Sequence, residues 1–507
     1  MSTANRFLRN VASNYVVTGA DALILILLTP FVVHQLGIEH YAVWIIVQTI
    51  GYYLSFLDIG LPDAQVRQHA ALLARRDMAG LSRLHGTVLL LYLGAGLLAL
   101  LLAAAIAASP SAALFDIPES AQDLYGPALL LIGLATLFSF LELGCDGVFE
   151  GYQRYATMNL VNLAVKVGHA LAVVALLAAG FGLLALVVAR CTATATSAAA
   201  KMLLIRRRFP ASAAPRLGFD RESWHSVRSY SLWNSLNDFM TEGTAHFDKL
   251  LIPVLLSAAL VTPYSLTVML AAAIFVLAEP ITDTFLPISS ARHAARDRSA
   301  LTALLTRGSK LVVLATLPVT VAIMFFGNGI LALWVGHEYT DISSAVLWFT
   351  AANFFFSTYL WTSLNVLMGA GEIRRIFFIS VFEVALVLGL ILALVPAMGL
   401  AGLALAGLMG NVLTGLFLFV PAACRLTTLT PRIFMASGLL PMLVAALPGC
   451  LAGAGLAAWL VPEGWFETLG AAAITGAVTL LGLLALSTTA RERARYYVTF
   501  RRLAGAA

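Results

Sequence analysis

The sequence predicts an all-α polytopic membrane protein of about fourteen transmembrane helices, built as two pseudo-symmetric six-helix lobes plus two C-terminal helices. Three observations predict it. Of the 507 residues 60% are hydrophobic and only 11% charged, against about 45–50% and 25% in soluble domains, and the mean hydropathy is +0.89. Apolar stretches of about 20 residues, the length that crosses roughly 30 Å of hydrocarbon, recur along the whole chain. Pieces of the first half return in the second at a period near 220 residues.

In chain order the expected spans are roughly 12–33, 41–60, 84–108, 126–150, 158–179, 182–204 and 229–256, then 262–289, 311–334, 343–368, 376–396, 399–421, 437–460 and 467–487. The polar, basic stretch Met1–Asn10 leads straight into the first span with no small-residue cleavage site, so no removable signal peptide is expected. With the N-terminus in the cytoplasm, all but three of the 31 Lys and Arg residues fall on the inside, Lys201 being counted there with Arg206, Arg207 and Arg208. The exceptions, Lys166, Arg190 and Lys249, fall within spans, and no outside loop carries a basic residue. Such sorting fixes orientation and would be scrambled by a wrong helix count. Both termini are therefore expected in the cytoplasm. The basic balance reflects topology and attraction to anionic inner-leaflet lipid, and it points to no nucleic acid. The inside stretches 61–83 and 290–310 read as short amphipathic helices at the interface. The four cysteines lack CxxC spacing and read as small packing residues, with no metal or cofactor implied.

The repeat rests on three matches. Pro30 and Tyr41 have the spacing of Pro253 and Tyr264; "EGYQRYATMNL" with "GFGLLALVVA" parallels "MGAGEIRRIFF" with "AMGLAGLALAG"; and "ARRD" at 74–77 parallels "AARD" at 294–297. The predicted organisation is an N-terminal six-helix lobe at 1–210, a cytoplasmic inter-lobe loop at 211–228 and a C-terminal lobe at 229–425. Two extra helices and a basic tail occupy 426–507.

"LTPFVVHQLGIEHYAVWIIVQTIGYYLSFLDIGLPDAQVR" (28–67), "FEGYQRYATMNLVNLAVKVG" (149–168) and "HFDKLLIPVLLSAALVTPYSLTVML" (246–270) resemble polysaccharide transport (Wzx-type) flippases. These belong to the multidrug/oligosaccharidyl-lipid/polysaccharide (MOP) exporter superfamily, which also holds the MATE transporters. The resemblance spans roughly residues 5–430 and implies two six-helix lobes around a central cavity, alternating access, and a cargo oligosaccharide carried on undecaprenyl diphosphate. It implies a bacterial inner membrane and polysaccharide polymerase machinery as a partner.

Ionisable residues inside a membrane are expensive, so each is a candidate for function. Asn234, Asp238, Glu242, His246 and Lys249 share one face of the seventh span, a stripe of about 22 Å that lipid cannot satisfy. Asp21 in the first span and Glu142 and Asp146 in the fourth repeat the idea. We expect Lys166, Arg190 and Lys249, with His246 and Asn234, to hold the cargo diphosphate, Arg190 as a bidentate fork. Asp21, Asp238, Glu242, Asp146 and Glu142 are expected to bind a coupling H⁺ or Na⁺. The plainer alternative for each cation is a local ion pair. The membrane layer holds eleven acids against three bases, which suits a multidrug cation antiporter of the same superfamily as the rival reading. An enzyme is not expected, since no HExxH, GxSxG or phosphate-binding glycine loop is present.

Overall fold

A computed structural model describes residues 3–58, 60–210, 218–225, 239, 246–339, 342–460 and 464–487. The chain is a helical membrane protein that divides into two compact units, Met1–Thr262 and Pro263–Ala507.

Unit 1 opens with α1, Thr3–Ser55, which carries the first two expected spans in one run broken at Gly37 (φ 73°, ψ 175°). There follow α2, Leu61–Ala74; α3, Met78–Ala108; α4, Ser111–Leu114; and α5, Glu119–Gly151. Then come α6, Tyr155–Ala178; α7, Gly182–Arg208; and α8, Asp248–Leu255. Glycines let α3 and α5 approach closely. A Cβ on Gly96 would lie 2.9 Å from the Leu137 Cα, and one on Gly133 would lie 2.7 Å from the Ala103 Cβ. Between membrane helices, where lipid is as apolar as leucine, such close van der Waals packing is a main source of association. The turn from α2 into α3 is set by Arg76 at φ 57° and by Asp77, whose carboxylate accepts from the Gly80 N–H at 2.7 Å.

The unit boundary at Thr262 lies beyond the expected inter-lobe loop at 211–228. Local bonds show why. Thr87 Oγ1 donates to the Gly218 carbonyl and accepts from the Asp220 N–H at 2.9 Å, so the middle of that loop is fastened to α3. The hydroxyl of Thr262 donates to the Ile38 carbonyl at 2.7 Å, fastening the stretch beyond α8 to α1. Asp220 also accepts from the Ser223 hydroxyl and backbone N–H, which holds its carboxyl below the usual carboxylate range.

Unit 2 continues with α9, Val261–Ala271; α10, Ala273–Thr282; α11, Phe285–Ala294; and α12, Arg298–Ala303. Its long helices are α13, Ser309–Val335; α14, Ser344–Gly369; α15, Ile373–Met398; and α16, Leu400–Thr414. The two extra helices, α17 (Leu447–Trp459) and α18 (Trp465–Gly482), meet where Gly449 packs on Thr479, and Gly453 packs on Phe325 of α13.

The repeat is visible in the backbone. Left-handed residues at Arg76, Asp116, Gln153 and Gly182 in unit 1 have counterparts at Arg296, Gly336, Gly371 and Gly399 in unit 2. Asp297, like Asp77, caps the next helix, accepting from the Ala300 N–H at 3.0 Å. Among the described residues, 11 stretches are long and apolar enough to span a membrane. The first of them, Val16–Ala74, holds two expected spans. The seventh expected span falls mostly outside the described residues, and the tenth is the more polar α14. The count of about fourteen is reached on that basis.

Candidate functional site

The charged residues of unit 1 sort into three groups. On α5, Glu142, Asp146 and Glu150 follow one another at intervals of four and so share a face. On α7, Ser197 and Lys201 do the same. The two faces meet. Lys201 Nζ donates to Glu142 Oε1 at 2.6 Å and to Asp146 Oδ2 at 2.9 Å, and it lies 2.7 Å from Asp146 Oδ1. The Ser197 hydroxyl also donates to Glu142 Oε1, at 2.6 Å. The Lys201 side chain is 0% exposed, whereas Glu142 and Asp146 keep 22% and 19% of theirs accessible. Sequence sorting counts Lys201 with the cytoplasmic arginines; in the structure it lies within α7 as a fourth interior cation. An ammonium so buried is tolerable only when paired and hydrogen-bonded, and two carboxylates supplying three acceptor oxygens meet that demand.

The second group joins α1 to α6. Lys166 Nζ lies 2.6 Å from Asp21 Oδ2, with both side chains open to solvent or lipid (39% and 49% exposed). Asn159, two turns earlier on α6, donates to the Ser13 hydroxyl at 3.0 Å. His169 lies one turn beyond Lys166, and its Nε2 is buried without a hydrogen-bond partner among the described residues. Arg190, on α7, is exposed and makes no ion pair among the described residues. It is near enough to Glu142 and to His169 for their charges to act on one another.

The third group stands at the start of α8. Lys249 Nζ lies 3.1 Å from His246 Nδ1, so that nitrogen accepts from the ammonium. The Lys249 backbone N–H donates to Asp248 Oδ1 at 2.8 Å. The His246 ring packs edge-on against Tyr52 of α1, centroids 4.3 Å apart, and Tyr52 continues into Tyr53 and Phe56.

Of the residues expected to bind cargo, Lys166 lies on α6 one turn before His169 and Arg190 lies on α7, and no described contact joins Lys166 to Arg190. Lys249 and His246 form a separate group, and no described contact joins them to Arg190 or Lys166. Of the ion-coupling candidates, Glu142 and Asp146 come together on Lys201, and Asp21 sits on Lys166. Asn234, Asp238 and Glu242 lie outside the described residues.

Unit 2 contains a polar cluster that sequence reasoning does not single out. Asn411 of α16 donates to Asn353 Oδ1 of α14 at 2.9 Å and also bonds the Ser357 hydroxyl. The i, i+4 pair Asn353–Ser357 was the available signal.

The family described as "Polysaccharide biosynthesis protein" matches residues 55–344. Among curated proteins, none matches the chain. Of solved structures, the lipid II flippase MurJ in an inward closed conformation is similar over 93% of this chain and 98% of its own, with a TM-score of 0.69 and 13% identity. An inward-facing multidrug resistance MATE family transporter of the MOP superfamily is similar over 79% of this chain and 94% of its own, at TM-score 0.63 and 16% identity. A MOP superfamily transporter from Pyrococcus furiosus, described by a binding pocket of reversed polarity, matches at TM-score 0.52 and 15% identity over 83% and 95%.

Proposed function

The chain belongs to the polysaccharide biosynthesis protein family, and from that premise we propose that it is a flippase for a lipid-linked oligosaccharide. The cargo, carried on undecaprenyl diphosphate, moves from the cytoplasmic to the outer leaflet of a bacterial inner membrane for surface polysaccharide synthesis. Movement is by alternating access, and a polysaccharide polymerase is the expected downstream partner. The chain is a transporter in this reading and not an enzyme.

One observation carries it. Arg190 is an exposed guanidinium on a spanning helix with no ion pair among the described residues. A permanent cation costs at least about 2.5–3.5 kcal/mol at a membrane-helix centre. A site for a doubly charged phosphate group gives that cost a use, since Arg binds phosphate bidentately. A diphosphate with a sugar head needs such a polar path because hydrocarbon offers neither charge nor hydrogen bonds.

The rival, a multidrug cation antiporter, draws on the acidic interior. Three of those acids hold lysines: Asp21 has Lys166, and Glu142 and Asp146 have Lys201. That removes much of its support in unit 1. The coupling ion, H⁺ or Na⁺, is assigned first to Asp238 and Glu242 and then to Asp21. The Glu142–Asp146 pair follows, because two carboxylates on one ammonium leave one negative charge over.

The test is reconstitution in liposomes with a fluorescent undecaprenyl-diphosphate oligosaccharide. Wild type should expose the glycan on the far side, Arg190→Ala should cut that rate at least tenfold, and Arg190→Lys should restore part of it. Normal flipping by Arg190→Ala would sink the cargo assignment. Drug resistance conferred on sensitive cells, without flipping, would favour the antiporter.

A further inference from the structure

Outside the charged groups, two histidines meet at the foot of unit 1. His69 on α2 and His85 on α3 are 0% and 2% exposed. His85 Nε2 lies 3.0 Å from His69 Nδ1, a direct imidazole–imidazole hydrogen bond. Tyr152, just past α5, stands edge-on to the His69 ring at 4.7 Å. The rest of the α2 face is as tightly fitted. A Cβ on Gly151 would fall 2.3 Å from His69 Cγ, and one on Gly147 would fall 2.3 Å from Gln65 Cδ. Gln65, one turn before His69, donates to the Gly144 carbonyl at 3.0 Å. α2 is therefore docked through two polar side chains seated on glycines of α5. Buried polar atoms there lack hydrogen-bond partners among the described residues: Gln65 Oε1, His69 Nε2 and Tyr152 Oη.

We propose that the His69–His85 pair is a proton-sensitive latch, which holds α2 against α3 and α5 while both rings are neutral and releases it in acid. A neutral imidazole has one N–H and one lone pair, so one ring donates to the other. A first added proton places a full charge on a ring that is almost wholly buried. A second sets two N–H donors facing each other and breaks the bond. The surroundings supply no counter-charge to His69. Asp63 and Arg67 on α2, Arg83 on α3 and Arg154 after α5 are exposed. Asp146 is held by Lys201, and among the described residues neither it nor Glu150 forms an ion pair with the His69 ring. Burial without a partner disfavours the imidazolium.

The sign follows. The docked state binds fewer protons than the released one, so docking is strong at neutral pH and lost as pH falls through the ordinary histidine range near about 6.5. Going to pH 5.5 shifts the equilibrium toward release by about tenfold through His69. Release frees the cytoplasmic end of α5, the helix that carries Glu142 and Asp146. It also frees the start of α3, where Thr87 holds the 218–220 backbone. The latch thereby couples cytoplasmic acidity to the mobility of the charged site, whatever cargo that site takes.

The experiment is hydrogen exchange on the full chain in lipid nanodiscs at pH 7.5 and 5.5, corrected for intrinsic exchange rates. Amides of Leu61–Ala74 should lose at least about tenfold protection at pH 5.5, while those of 129–140 in α5 stay unchanged. His85→Gln keeps a neutral donor to His69 and should retain the His69 part of the effect, about tenfold. His69→Asn with His85→Gln should abolish it. Unchanged α2 protection in the wild type overturns the latch, as does an equal loss in the double variant. If the double variant does not fold, the wild-type comparison and His85→Gln decide the question.

Discussion

Replacing Lys201 by Met should destabilise unit 1 by about 3 kcal/mol, and replacing its two partners as well should restore most of that loss. The magnitude comes from the geometry. The ammonium is wholly buried and within 2.9 Å of three carboxylate oxygens. Breaking a buried pair by removing one partner costs about 3–5 kcal/mol, because the other charge is left uncompensated. Glu142 and Asp146 retain about a fifth of their exposure, so water offsets part of the loss and the low end of that range applies. Met is close to Lys in length and fills the same slot, which removes a cavity as the cause. The triple variant Lys201→Met, Glu142→Gln, Asp146→Asn has no stranded charge, and neutral replacement of buried ion pairs is often tolerated. Denaturant or thermal unfolding of purified protein in one detergent measures all three. A single variant within about 0.5 kcal/mol of wild type would refute the burial argument. A triple variant as unstable as the single one would show that packing, not charge, was lost.

Asp21→Asn should change stability by less than about 1 kcal/mol, since that pair is half exposed. It should tighten binding of pyrophosphate by up to about fivefold, because Lys166 loses its internal competitor; weaker binding would assign Asp21 to the cargo side. Reporter fusions at Asp116, Glu338 and Glu463 should read outside and those at Arg76, Arg207 and Arg296 inside, and one swapped site breaks the topology. The Asp220 turn should respond to acid with the opposite protonation chemistry to the histidine latch. Its carboxyl lies below the usual range because Ser223 bonds the charged form, so protection of the Trp224 amide should persist above about pH 4 and fall as pH drops through the lower folded value.

How much of this was legible depends on which physical rule each residue obeys. Spans are set by a length of apolar chain, and orientation by cations that cannot cross; both are written locally, and α3, α5, α6 and α7 lie where the hydropathy puts them. The matching turns were readable from "ARRD" and "AARD", where Asp caps a helix and the preceding Arg takes a left-handed backbone. Lys201 was not. It sits five residues before Arg206 and obeys the charge-sorting rule in sequence, while in space it points into the bundle toward α5. Its signal was relational: Ser197 and Lys201 at i, i+4 on one helix, Glu142 and Asp146 at i, i+4 on another. Neither pair is informative until the two helices are known to pack. The His69–His85 contact hides for the same reason, since sixteen residues and a tight turn separate two rings that share one hydrogen bond.

The excess of acids in the membrane layer changes meaning once pairs are assigned. Counted singly, the acids argue for a cationic cargo. Assigned to partners, Asp21, Glu142 and Asp146 become the counter-ions that let Lys166 and Lys201 reside in unit 1. The two lysines then differ in kind. Lys201 is sealed and holds α5 to α7, so its carboxylates cannot leave it without the loss estimated above. Lys166 is half exposed, and its single carboxylate is worth little in such a setting. A phosphate arriving at Lys166 therefore needs to displace only a weak partner. Arg190 has no ion pair to break among the described residues, so on the proposed reading a second phosphate contact there carries no such cost. On the proposed flippase reading, Lys166 and Arg190 are the cations left to meet an anion, while Lys201 stays fixed in its ion triad with Glu142 and Asp146.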